Sequence, residues 1–212
     1  MHREYKILCY GDSNTWGFSP RDGSRFPTDI RWPGVLRRCL GEGYTVIEDG
    51  LNGRTLCSFG MEADPLNGSE HLITVVKAYK DVDLLILYLG INDLFMDPEI
   101  SVPSMSLELA ETIDTVQKFS PSMKVLVLSP LPINVGTEYH AYYHEQIEKS
   151  FELPREFERV ARKRGCDILD PSKVISASGD DGVHIEAEEH IKLGLHVCTL
   201  VRDILRGIET KR

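Results

Sequence analysis

The sequence predicts an α/β protein, a parallel sheet with helices on both faces. Three observations lead there. Apolar runs of strand length recur at residues 7–10, 45–47, 84–89, 125–128 and 168–169. The third run, Leu84-Leu85-Ile86-Leu87-Tyr88-Leu89, is apolar at every position, as a central strand covered on both faces should be. Between the runs lie stretches with apolar residues at helical spacing, and strands that alternate with helices imply a parallel sheet.

The first helical stretch opens on Trp32-Pro33-Gly34 and carries Val35, Leu36, Cys39 and Leu40, with Pro33 where a first turn tolerates it. Ser69 is placed to cap a second helix with Leu72, Val75, Val76 and Tyr79 on one face. Ser106 precedes Leu109, Ile113 and Val116, again at steps of four and three. The last helix is expected over roughly 187–205, with Ile191, Leu195, Cys198, Val201 and Leu205 along its buried stripe. Two stretches break the alternation. Residues 18–30, with Pro20, Gly23 and Pro27, read as a loop. Residues 130–145 begin with two prolines and carry Tyr139, His140, Tyr142, Tyr143 and His144, which suit a pocket, a subunit contact or a plain surface loop. Pro154 is expected to end or kink a helix near Leu153.

With 212 residues the chain is most economically one domain with one substantial core. A net charge of −9 argues against nucleic acid or an anionic membrane surface as the main partner. The N-terminus leads straight into the first strand without an apolar signal region, and no apolar run approaches a membrane span. Five scattered cysteines without a CxxC pair suit buried thiols in a reducing cytoplasm better than a disulfide framework.

The chemistry is read from Gly11-Asp12-Ser13-Asn14-Thr15-Trp16-Gly17, directly after the first strand. Ligands of α/β sheets bind in the crevice beyond the carboxyl ends of the strands, where this serine falls. A hydroxyl is a poor nucleophile at neutral pH and needs a base. Among seven histidines, His184 has the most telling neighbours, Asp180-Asp181-Gly182-Val183. A carboxylate three residues before an imidazole can turn back to its ring N–H and fix the tautomer. Two further segments offer donors for a developing oxyanion: Gly53, where a missing side chain lets substrate approach the backbone, and Asn92, with its side-chain amide. One such donor stabilises the charge by roughly 3 kcal/mol. Each piece has a plain structural alternative, since Asp12 and Ser13 could cap a helix and the others fit ordinary turns. Their coincidence after four different strands, at one edge of the sheet, favours catalysis.

These stretches, taken together, resemble the four blocks of the SGNH (GDSL-type) hydrolase superfamily, in order from Gly11 to His184. Arg31-Trp32-Pro33-Gly34-Val35-Leu36, Glu48-Asp49-Gly50-Leu51, and Arg54-Thr55 strengthen a likeness to the small bacterial aryl esterases and acyltransferases within it. The resemblance implies a three-layer α/β/α, flavodoxin-like fold with strand order 2-1-3-4-5. It implies Ser13 as nucleophile, His184 as base and Asp181 as orienting acid, with an oxyanion hole from Ser13 N–H, Gly53 N–H and the Asn92 side chain. Asp12, Asn14 and Trp16, flanking the nucleophile, are the candidate substrate-binding residues. No cofactor or metal is implied; the partner is a small ester, and assembly of copies stays open. Position 14 is Asn where the family name has Leu, which is expected to alter the pocket more than the chemistry.

Competing readings are a metal pair at His140 and His144, which lacks the H-E-x-x-H order and a third ligand, and an activated thiol at Cys57, which has no local feature to activate it. Trp16 could line the acyl pocket or pack in the core. At the level of function the alternatives are a carbohydrate O-deacetylase of the same superfamily and a binding module that keeps the fold without the reaction.

Overall fold

The computed structural model describes residues 3–60, 64–79, 81–137 and 143–209. Five parallel strands form one sheet: β1 (Tyr5–Gly11), β2 (Tyr44–Gly50), β3 (Leu84–Tyr88), β4 (Lys124–Leu128) and β5 (Asp167–Leu169), in the order β2-β1-β3-β4-β5. The expected order is therefore observed. The helices are α1 (Ser13–Trp16), α2 (Trp32–Leu40), α3 (Gly68–Ala78), α4 (Asp93–Met96), α5 (Val102–Phe119), α6 (His144–Lys163) and α7 (Ala187–Glu209).

Alternation along the strands builds the three layers, because successive side chains point to opposite faces. Leu8, Tyr10, Leu85, Leu87, Val125 and Val127 face α3, α5 and α6 in one buried cluster. On the other side Ile7, Cys9, Ile86, Tyr88, Leu126 and Leu128 pack on α2 and α7. The register aligns Gly11 with Gly50 on one side and Tyr88 on the other, so the segments that leave β1, β2 and β3 emerge together.

Helix boundaries differ from expectation where a better cap lies upstream. Asn67, not Ser69, caps α3 by accepting the Glu70 N–H. Ser101 caps α5 by accepting the Ser104 N–H, with Pro103 in its first turn, which leaves Ser106 buried inside the helix. Two residues assigned to buried stripes are exposed. Tyr79 terminates α3 and turns outward, and Leu195 faces solvent because α7 is phased by His190, Leu193, Val197, Val201 and Leu205. Pro154 neither ends nor divides α6. Burial of Ile147, Leu153, Phe157 and Val160 holds that helix together across the missing N–H.

The cysteine reading is also corrected. Cys39 of α2 and Cys198 of α7 form a disulfide with their Cα atoms 6.3 Å apart, leaving Cys9, Cys57 and Cys166 as thiols. The packing of α2 on α7 makes this pair, and spacing in the sequence carries no trace of it. The cysteines therefore lend no support to a reducing compartment. Among the described residues no helix is long and apolar enough to cross a membrane. Tyr139, His140 and Tyr142 lie outside the described residues.

Candidate active site

The site forms where β1, β3 and the segment before α7 end together. The chain leaves β1 through a turn so tight that a Cβ on Gly11 would overlap the Thr15 hydroxyl and lie 2.6 Å from the Tyr88 carbonyl oxygen. Asp12 then caps α1, its carboxylate accepting the Asn14 N–H at 2.9 Å. Ser13 is thereby the first residue of a helical turn, where its own N–H has no intrahelical acceptor.

His184 meets Ser13 from the far end of the sequence. The Ser13 Oγ and His184 Nε2 atoms are 2.9 Å apart, and His184 Nδ1 lies 2.6 Å from Asp181 Oδ2. With Nδ1–H donating to the carboxylate, Nε2 is left to accept the serine proton. The other oxygen of Asp181 accepts the Val183 and His184 N–H groups, both at 2.9 Å, so the acid is fixed by its own loop. Partial burial works to raise the Asp181 pKa, but the His184 ring and those two N–H donors outweigh it and hold the carboxyl below its usual range. Asn134, after β4, braces this loop by donating its N–H to the Gly182 carbonyl at 2.8 Å and its side chain to Ala177 at 3.1 Å.

Gly53 sits opposite with φ +79°, a conformation that side chains resist. Among the described residues its N–H makes no backbone hydrogen bond. Asn92 caps nothing at the start of α4; its side chain donates instead to the Arg54 carbonyl at 2.9 Å, which leaves its second amide hydrogen free to turn toward a ligand. A cavity of about 440 Å³ opens beside the imidazole, lined by Asn92, Phe95, Tyr143, Asp181, Val183 and His184. Larger hollows of about 530, 540 and 650 Å³ lie along α6, beside the start of α5 and at the start of α7, but none is lined by His184, Asp181 or Asn92. Chemistry, not size, selects the smaller one.

Three residues flanking the serine are engaged within the protein. The Asp12 side chain is buried beneath the turn it caps, and Asn14 donates to the Val183 carbonyl at 3.3 Å, tying α1 to the histidine loop. Trp16 is half-buried, with the Arg25 guanidinium 5.1 Å above its ring. Of the aromatics the sequence offered for a pocket, Tyr143 lines the cavity beside His184, whereas Phe18 and Phe95 carry no sequence signal. Phe18 lies against the imidazole, ring centroids 4.2 Å apart, and Phe95 meets Tyr143 edge to face at 5.0 Å. No spacing rule could find Phe18, which reaches the site through an irregular loop. Cys57 is buried, and burial together with Asp93 pushes its thiol pKa far up, so it is no activated nucleophile.

Two buried groups near the site titrate in opposite senses. Burial, helped by His184 and Arg31, lowers His190 to about 3. Between pH 3 and 6.5 the unfolded chain binds a proton there that the folded chain refuses, so stability is lost as pH falls through this window, by up to about 1.4 kcal/mol per unit. Burial pushes Asp12 up to about 7, with Asp93 adding to the push against the Asn14 N–H and His184. The folded state then holds an extra proton below pH 7, and this group stabilises as pH falls toward 4. The two effects offset each other in the wild type. His190→Gln, whose side chain can still accept the Trp32 N–H, is expected to lose the destabilising slope. Urea midpoints at pH 4.5 and 7 should then show the variant gaining on the wild type in acid; equal differences at both pH values would overturn the assignment.

The sheet order 2-1-3-4-5, together with the chain's family and structural neighbours, makes this an ester-hydrolysing enzyme of the SGNH class. The chain belongs to the GDSL-like lipase/acylhydrolase family, whose model matches residues 9–196. It is similar to Est24, a carbohydrate acetylesterase from Sinorhizobium meliloti, at 29% identity and TM-score 0.85 over 95% of this chain and 100% of that one. An aryl esterase of M. smegmatis is 32% identical with TM-score 0.83, over 94% of this chain and 99% of its own. A putative arylesterase from Agrobacterium tumefaciens is also 32% identical, with TM-score 0.81 and the same coverage. No curated protein sequence matches the chain.

Proposed function

We propose that this chain is a serine esterase that works through an acyl-enzyme on Ser13. The observation that carries the reading is the unbroken line from Ser13 Oγ through the His184 ring to Asp181, at 2.9 and 2.6 Å. In it, His184 Nε2 takes the serine proton as Oγ attacks the ester carbonyl. The oxyanion of the tetrahedral intermediate forms between Ser13 N–H, Gly53 N–H and the Asn92 amide. Its collapse expels the alcohol, which receives the proton from His184, and water attacks the acyl-enzyme by the same route in reverse. An alcohol bound in place of water would take the acyl group instead, giving transfer.

The favoured substrates carry a short acyl group. The likeness to a carbohydrate acetylesterase supports this. A sugar O-deacetylase is the second reading, favoured by the likeness to Est24. Three measurements decide. Fluorophosphonate labelling requires an activated serine, and a binding module that merely keeps the fold would stay unlabelled. A series of p-nitrophenyl esters is expected to give falling kcat/KM from acetate to octanoate; a steady rise would refute the short-acyl assignment. Faster turnover of acetylated sugars than of aryl acetates would favour the deacetylase.

A further inference from the structure

Resting on the serine-esterase reading above, we infer that Asp93 is a positioning residue for the reaction: its carboxylate fastens the segment after Gly53, and so holds the Gly53 N–H in register with the Ser13 oxyanion site. Asp93 is fully buried, an expensive place for a carboxylate unless its oxygens are engaged. Both are. One oxygen accepts the Leu56 N–H at 2.9 Å and the other the Cys57 N–H at 2.7 Å. The residue before it, Asn92, donates to the Arg54 carbonyl at 2.9 Å. Two adjacent residues at the end of β3 therefore grip residues 54, 56 and 57, while a turn bond from Arg54 N–H to the Leu51 carbonyl at 3.1 Å closes the segment on its other side. Gly53 sits between these fastenings, exposed and with φ +79°.

A helix-capping role does not account for the residue, because the Asp93 oxygens bond to another segment. What they fix is the direction of an amide that must meet charge only as it develops. Misplacing such a donor weakens transition-state binding far more than substrate binding. A displacement of about 1 Å can cost a hundredfold in rate.

Asp93→Asn tests this without a change in volume. The amide keeps one acceptor but turns a donor toward the second N–H, so one bond is lost. The expected result for p-nitrophenyl acetate is a kcat lowered about ten- to hundredfold with KM within about threefold of wild type, per fluorophosphonate-titrated site. Affinity for phenylboronic acid, whose tetrahedral adduct mimics the oxyanion, should fall by a similar factor. Asp93→Glu keeps two acceptors and overfills the site. If position 93 serves packing alone, Asn performs as wild type and Glu is the worse variant; if it positions the loop, Glu retains more kcat than Asn. Where Asp93→Asn does not fold, Asp93→Glu is read against wild type: a lowered kcat with KM and fluorophosphonate labelling retained supports positioning, and an unchanged kcat or a loss confined to KM overturns it. An unchanged kcat in Asp93→Asn, or a loss confined to KM, overturns the inference. A wild type that neither turns over the ester nor takes the label overturns the esterase reading instead.

Discussion

Replacing Ser13 with alanine is expected to lower kcat/KM for p-nitrophenyl acetate at least about a thousandfold, and His184→Ala should do the same. The two groups meet at 2.9 Å and in the proposed reaction act on one proton, so the double variant should be little worse than either single one. Additive losses would show that they do not work as a unit. Neither change should unfold the protein. Ser13→Ala removes a hydroxyl from a turn held by Asp12, and the Asp181 loop keeps its Val183 N–H and Asn134 braces in His184→Ala. Far-UV spectra and urea midpoints close to wild type are the accompanying expectation. Asp181→Asn should fall between, since the ring loses its anion but not its neighbours. Because Asp181 is held below the ordinary carboxylate range, it stays charged at pH 5, and loss of activity on mild acidification should not be traced to it.

The parts of this site that were legible in the sequence share one property: each is local. Gly11-Asp12-Ser13 carries its own strand, cap and hydroxyl, and Asp181 reaches His184 within a single loop, so residue type and spacing suffice to mark them. Strand positions were readable for the same reason, since burial on both faces forces runs such as residues 84–88 to be apolar. What was not readable depends on elements that meet only after folding. Phe18 finds His184 through a loop without periodicity, and Cys39 finds Cys198 because α2 lies on α7. Leu195 faces solvent, against its spacing, because a helical stripe is fixed by what the helix packs against, here His190 accepting the Trp32 N–H at 3.3 Å. Pro154 shows the limit from the other direction, a strong local signal overruled by a buried face.

Arg54 is the sharpest case of a residue whose importance only the assembled fold reveals, and its removal should be the most destabilising change near the site. Its side chain is 2% exposed. The guanidinium donates to the carbonyls of Gly11 at 3.0 Å, Asp49 at 2.7 Å and Pro65 at 3.1 Å, and to the Asp49 carboxylate at 2.9 Å. It also lies 4.1 Å from the centre of the Tyr10 ring. One planar cation thus joins the end of β1, the end of β2 and the segment between Gly53 and α3. Arg54→Met keeps the apolar stem and strips every donor, so the Asp49 and Pro65 carbonyls and the Asp49 carboxylate lose their guanidinium partner, while the Gly11 carbonyl keeps only the Leu51 N–H. Removing one member of a buried charged network costs about 3–5 kcal/mol, which for a chain of this length corresponds to a melting point lower by roughly 10 °C. Arg54→Lys should recover only part of this, because one ammonium cannot reach acceptors arranged for a planar fork. Activity should fall as well, since the Gly11 carbonyl precedes the nucleophile turn and Gly53 adjoins Arg54. Urea unfolding of both variants beside wild type settles the matter. A methionine variant as stable as wild type would mean that water replaces the guanidinium at no cost, and that the three chain segments are held together by packing alone.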